Sequence, residues 1–241
     1  MKISALLFGI FICGILQTNA QEINQMDAMG RKQGVWSKTY PDGVKRYTGQ
    51  FKNDKPIGTF TYYNEDGDLS STIKNFGDSA SAIYYHVNGN VIAEGKYYLQ
   101  KRTGIWKHFD ADGDISSQEM YADGKKNGPA RIYFKDGKIA KELNYQMGTM
   151  SGDCIEFFPS GSVKSKFRYV DDKIEGPIEH YYNDERIWIK GYYTNNMRDK
   201  IWSYYKQEGG IDYFEIYDLG VLKGTKTPDE MKLYNQEKNK N

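Results

Sequence analysis

From Gly34 onward, aromatic residues and glycines recur on a fixed step, with short polar clusters between the runs. Gly104, Gly128, Gly152 and Gly176 stand 24 residues apart, and Lys200 takes the next place. Counting the glycine as offset 0, offset 5 is aromatic in all five units, as Phe109, Tyr133, Phe157, Tyr181 and Tyr205. Offset 17 is tyrosine in all five, as Tyr121, Tyr145, Tyr169, Tyr193 and Tyr217. Three earlier units complete the series. One starts at Gly34, with Trp36 and Phe51; one at Gly58, with Phe60, 22 residues long and lacking the tyrosine; one at Ala80, with Tyr97. A period of this length marks a repeat array, in which each copy is a supersecondary unit that buries its face against its neighbours. Eight units then cover 34–222.

Within a unit, a strand-like run meets Asp-Gly or Asn-Gly at offsets 8 and 9, as in Asp42-Gly43, Asn88-Gly89 and Asp112-Gly113. Such a pair between aromatic runs signals a tight hairpin. The seventh unit has Asp184-Glu185 instead, which predicts a longer or strained turn. A two-residue turn places offsets 2, 4, 6, 11, 13, 15 and 17 on one face, because side chains alternate and facing pairs match. That face collects Trp36, Phe60, Trp106 and Trp202 at offset 2, and Ile115, Ile139, Val163, Ile187 and Ile211 at offset 11. The offset-17 tyrosines join them, each across from its unit's first glycine, whose bare backbone it can cover. The offset-5 aromatics fall on the opposite face as a second, more exposed ladder. Trp188, at offset 12, is expected on that exposed face beside Tyr181. The links between units are polar turns without helical periodicity, so consecutive hairpins are sheet neighbours. The fold class is therefore all-β, an elongated antiparallel sheet of tandem β-hairpin repeats.

The ends depart from the period. Lys2, an apolar run from Ala5 to Leu16 and the small-residue close at Ala20 describe a signal peptide at 1–20, implying export to the periplasm or the extracellular space. No membrane span is expected after its cleavage. Residues 21–33 form a polar lead-in and 223–241 a polar tail, in which Pro228 to Tyr234 suits one or two helical turns.

The formal charge is +1 from 33 basic and 32 acidic residues, so no broad field favours nucleic acid. With 21 tyrosines, 11 phenylalanines and 25 glycines, a thin sheet covered by rings fits better than a thick aliphatic core. Past the leader Cys154 is the only cysteine, and it occupies the offset of Trp106 and Trp202, which reads as a small core residue. His108 and His180 share offset 4 three units apart, and no triad order appears, so no catalytic residue is assigned. The run Asp110, Asp112, Asp114 offers carboxylates, but Gly113 precedes Asp114, unlike a calcium loop, and no metal or cofactor is expected.

The unit resembles the MORN repeat, in the bacterial variant carried by YwqK-family antitoxin-like proteins. The likeness rests on Gly34-Val35-Trp36 and Gly104-Ile105-Trp106, on the run from Tyr62 to Gly67, and on the Gly-Lys-Lys-Asn-Gly link from Gly124 to Gly128. It implies hairpin arrays that act as scaffolds and contact partners or lipids, with no enzymatic activity in the repeat itself. A non-enzymatic, exported scaffold or binding protein is thus expected, presenting Trp188, Tyr181, Tyr133, Phe157 and Tyr205 to a protein partner in the envelope or outside the cell. The alternative is a glycan or cell-wall binding module, since choline- and glucan-binding repeats are also similar aromatic hairpins and hold ligands on ring faces.

Overall fold

The computed structural model describes residues 22–238, and the signal peptide expected at 1–20 lies outside them. The strands form one antiparallel meander from Gln25–Met26 to Val221–Lys226, each pairing with its neighbours in sequence. Two strands are split. Thr149–Met150 and Gly152–Phe157 both run along Ile139–Gln146, and Lys173–Ile174 and Gly176–Tyr181 both run along Val163–Val170. Among the described residues no pairing joins the first strand to the last, so the sheet is open.

The two kinds of turn differ from expectation in an informative way. Two-residue turns with both φ values positive occur between units, at Asn53 (52°) and Asp54 (65°) or Asn195 (52°) and Asn196 (67°), the pattern of type I′. The Asp-Gly sites are three-residue loops instead. In the fourth unit the Asp110 N–H donates to Asp114 O (2.9 Å) and the Gly113 N–H to Asp110 O (3.1 Å), and Gly113 takes φ 93°. This is a type I turn closed by a left-handed glycine, and it carries a bulge. Glu185 adopts the same conformation at φ 67° in a loop of the same length, so that turn is strained but not longer.

The bulge moves side chains between faces. The body of each hairpin keeps the expected register, with Gly104 opposite Tyr121 and Trp106 opposite Glu119. Near the tip, Ser117 faces His108 but Ile115 faces Phe109, leaving Ser116 as the extra residue. Offset 11 therefore joins offset 5: Ile139 pairs with Tyr133, Val163 with Phe157, Ile187 with Tyr181 and Ile211 with Tyr205. These aliphatic residues, with Ile115, do not share the tryptophan face as the two-residue turn required. Offset 12 is brought to that face in their place.

A second irregularity lies between units. Glu94 faces Lys107 while Lys96 faces Thr103, so Gly104, at φ 64°, sits in a bulge of two extra residues. Lys200 holds the equivalent place at φ 62°. The short second unit lacks this bulge, and its pairing with the third runs unbroken from Ser71 opposite Tyr84 to Phe76 opposite Ser79. Its two missing residues are the bulge, and its later half, where the tyrosine is lacking, is mostly a regular strand, Leu69–Phe76.

The core is a single row crossing the tryptophan face, in which offset 2 of each unit alternates with offset 15. Phe60, Ala82, Trp106, Ala130, Leu143, Cys154, Phe167, Ile178 and Trp202 in this row are all buried. Volumes complement one another across the unit boundary. A Cβ placed on Gly95 would stand 2.2 Å from the Trp106 ring, one on Gly191 2.3 Å from Trp202, and one on Gly49 2.4 Å from Phe60. Where offset 2 is small, the preceding residue is large, as with Ile73 before Ala82 and Leu143 before Cys154. Cys154 is fully buried, and burial pushes its thiol up to about 11.

The two best-covered tryptophans have the same surroundings. Arg102 lies over the Trp106 ring at 4.2 Å and Arg198 over Trp202 at 4.4 Å. The indole N–H groups donate to the carbonyls of Lys96 (3.1 Å) and Tyr192 (3.3 Å). Tyr97 and Tyr193 each meet the indole edge-on at 5.1 Å. Glycine backbone below and guanidinium above enclose each ring, so one layer of sheet suffices to bury it.

Both ends are built into the array. Gln25–Met26 pairs with Lys32–Thr39, and Val221–Lys226 adds a strand beyond Leu222. The helix Pro228–Lys238 is longer than the one or two turns expected, because Thr227 and Glu230 form a capping box: the Thr227 N–H donates to the Glu230 carboxylate (2.7 Å). Its Met231 is buried. Among the described residues, no helix is long and apolar enough to cross a membrane.

Candidate partner-binding surface

The tip bulge decides where Trp188 sits. Its ring lies 5.9 Å from Tyr182 and 6.5 Å from His180, residues of the tryptophan face, rather than against Tyr181. It is 45% exposed. Tyr182 is at offset 6, and the two preceding hairpins carry Phe158 and Phe134 there. These rings wall two neighbouring grooves of about 330 Å³ each. Ile132, 44% exposed, lines the first and Trp188 the second, while Phe158 and Lys164 line both.

Tyr133, Phe157, Tyr181 and Tyr205 lie on the other face, half-buried. Among the described residues no ring pair joins any two of them. Lys166 lies over the Tyr181 ring at 5.5 Å and the Tyr181 hydroxyl donates to Glu179. The five residues expected to share one surface are therefore divided between two faces. Phe134, Phe158 and Tyr182 went unread as a group, although their common offset 6 is visible in the sequence.

The comparisons bear on the unit itself. Residues 102–123 and 126–147 match the MORN repeat variant. Those two stretches carry MORN repeats. The matched stretches are the fourth and fifth hairpins, which include Trp106 and both ladder tyrosines, Tyr121 and Tyr145. No curated protein matches the chain. Among solved structures, TarM aligns over 39% of this chain and 18% of its own at 16% identity, with a TM-score of 0.30. A point mutant of S. aureus TarM, in complex with Fondaparinux, alpha-GlcNAc-glycerol and UDP, aligns over 49% of this chain and 19% of its own at 13% identity, with a TM-score of 0.25. The chain thus matches about a fifth of the length of those proteins.

The polar groups of the tryptophan face serve the sheet. Ser165, almost fully buried, hydrogen-bonds His180 Nδ1 (2.8 Å) across neighbouring hairpins. His108 approaches Glu119 at 3.7 Å, and three units separate it from His180. Glu119 faces the core row; burial alone would raise its pKa, but hydrogen bonds from Lys126 and Tyr121 outweigh this and hold it below the usual carboxylate range. The carboxylates of Asp110, Asp112 and Asp114 lie within 4.8 Å of one another. Asp110 is engaged by the N–H groups of Asp112 and Asp114 (both 3.0 Å), and Asp112 by Lys135 (2.6 Å), as a turn requires.

Burial holds the His180 imidazole below its ordinary value, with Arg198 and Lys164 acting in the same direction and Glu156 against it. A depressed histidine contributes stability that is complete above its unfolded value near 6.5 and lost as pH falls through the folded one. The urea midpoint is therefore expected to fall between about pH 7.5 and about pH 5.5, and less steeply in His180→Asn. His108, also depressed by burial, retains part of the slope. An unchanged slope in the variant contradicts this assignment.

Proposed function

We propose that the chain is a non-enzymatic, exported MORN-repeat scaffold whose tryptophan face binds a protein partner in the cell envelope or outside the cell. The observation that carries this reading is the pair of equal, adjoining grooves across three hairpin tips, with Ile132 and Trp188 partly bare at their ends. Two strands separate equivalent positions, so the grooves repeat every ~9.6 Å, and a partner segment in the polyproline II conformation, rising ~3.1 Å per residue with three residues per turn, would present every third side chain to them. Aromatic anchors in grooves are the usual hot spots of such contacts. The leader at 1–20 supports export, and the burial of Ser165 beside His180 supports a structural rather than catalytic pairing.

Capture from envelope extracts, followed by titration of the captured protein, tests this. Trp188→Ala is expected to weaken binding at least ~10-fold, whereas Ile105→Ser, on the opposite face, leaves it unchanged. Equal affinity in both variants contradicts the reading. Saturable binding of an envelope glycan, lost in Trp188→Ala, transfers the surface to glycans.

A further inference from the structure

The row of rings is interrupted once. In seven of the eight units offset 17 holds a ring, as with Phe51, Tyr97 and Tyr193. That ring is wedged between the offset-2 side chain of its own unit and that of the next: Phe51 stands 5.8 Å from Trp36 and 5.1 Å from Phe60. In the second unit the position holds Asn75, and the next unit offers only Ala82 as the far wall. The same junction lacks the two-residue bulge found at the other junctions. Three local departures thus coincide in one place.

A cleft of about 510 Å³ results, with Pro56, Ile73, Asn75, Ala80, Tyr84 and Tyr97 among its walls. This lies within the size range of small-ligand sites. Its lining is mainly apolar. The Tyr84 and Tyr97 hydroxyls satisfy one another at 2.9 Å, and the Asn75 amide donates to Gly58 O at 3.2 Å. Lys55 and Asp78, of opposite charge, also line it, and neither forms an ion pair among the described residues.

We propose that this cleft receives the ring of a tyrosine side chain from the partner polypeptide. The inference rests on the protein-binding reading above and names a contact within it. Periodicity identifies the occupant: the place that Asn75 takes at the edge of the cleft is held in the five regular units from Gly104 onward by this chain's own tyrosine. The complementary charges of Lys55 and Asp78 provide for the main chain and flanking groups that carry the ring. A sugar would need converging polar groups in the floor, where Ile73 and Ala80 stand instead.

The test uses N-acetyl-tyrosinamide and N-acetyl-leucinamide, titrated into the full chain and followed by NMR. Saturable shifts confined to Ile73, Tyr84 and Tyr97 are expected from the tyrosine probe, with a Kd of about 1–10 mM for so small a ligand. The leucine probe should bind several-fold more weakly. Asn75→Tyr, which restores the missing ring, should abolish the shifts and raise the unfolding midpoint, and Ala80→Phe should block the cleft from its other wall. No saturable response in the folded wild type, equal response to both probes, or binding retained in both filled variants overturns the proposal. Capture of the partner undiminished by either filled variant overturns it too, while leaving the protein-binding reading intact. Probe binding without any captured partner sustains the cleft and removes that reading.

Discussion

Gly95→Ala and Gly191→Ala are expected to destabilise the protein by about 2–3 kcal/mol each, although a glycine outside the left-handed region ordinarily tolerates alanine or gains from it. The added Cβ would stand 2.2 Å from the Trp106 ring or 2.3 Å from the Trp202 ring, well inside contact distance. Neither indole can retreat easily. Arg102 and Arg198 lie over the rings, and the indole N–H groups of Trp106 and Trp202 donate to backbone carbonyls. Gly224→Ala is the control, since nothing lies within 4 Å of its added Cβ; its unfolding free energy from urea titration should stay within about 0.5 kcal/mol of wild type. Equal effects at Gly95 and Gly224 would mean that the ring does not lie on the glycine.

Removing the ring should cost more. Trp106→Ala and Trp202→Ala are each expected to lose about 3–5 kcal/mol, the range for a fully buried aromatic replaced by alanine. Both indoles are fully buried although only one layer of sheet supports them. Their loss uncovers the edge-on tyrosines as well, Tyr97 and Tyr121 around Trp106, Tyr193 and Tyr217 around Trp202. It also leaves Arg102 and Arg198 without the ring they cover. Trp36 has Gly49 across its own hairpin but lacks a preceding unit to supply a facing glycine, so Trp36→Ala should cost less in the same urea measurement.

Much of this architecture was legible in the chain. The 24-residue step and the constant glycine and tyrosine set the body of each hairpin, and Gly104 does face Tyr121 as the spacing required. The turns were harder to read, for a physical reason. Asp-Gly suits a two-residue turn, but a left-handed glycine also closes a three-residue loop, and that loop adds a bulge. One extra residue then sends Ile115 to one face and Trp188 to the other, so the expected partner surface was divided at its most exposed member. The complementarity of Gly95 with Trp106 was present in the letters too. Reading it requires the register between units, and that register depends on a two-residue bulge that only Gly104 and its counterparts announce. The cleft beside Asn75 was signalled by the missing tyrosine and the short second unit, features that read locally as mere irregularity.

The account turns on neighbouring units locking together by matched volumes, a ring over a glycine or a small residue under a large one. A double-mutant cycle on Gly95→Leu and Trp106→Ala tests this most directly, because together the changes imitate the pairing of Leu143 with Cys154. Each single change should lower the urea midpoint strongly, and the double variant should recover at least ~1 kcal/mol relative to their sum. Strictly additive losses would contradict the account, since they would mean that the two positions do not share one space.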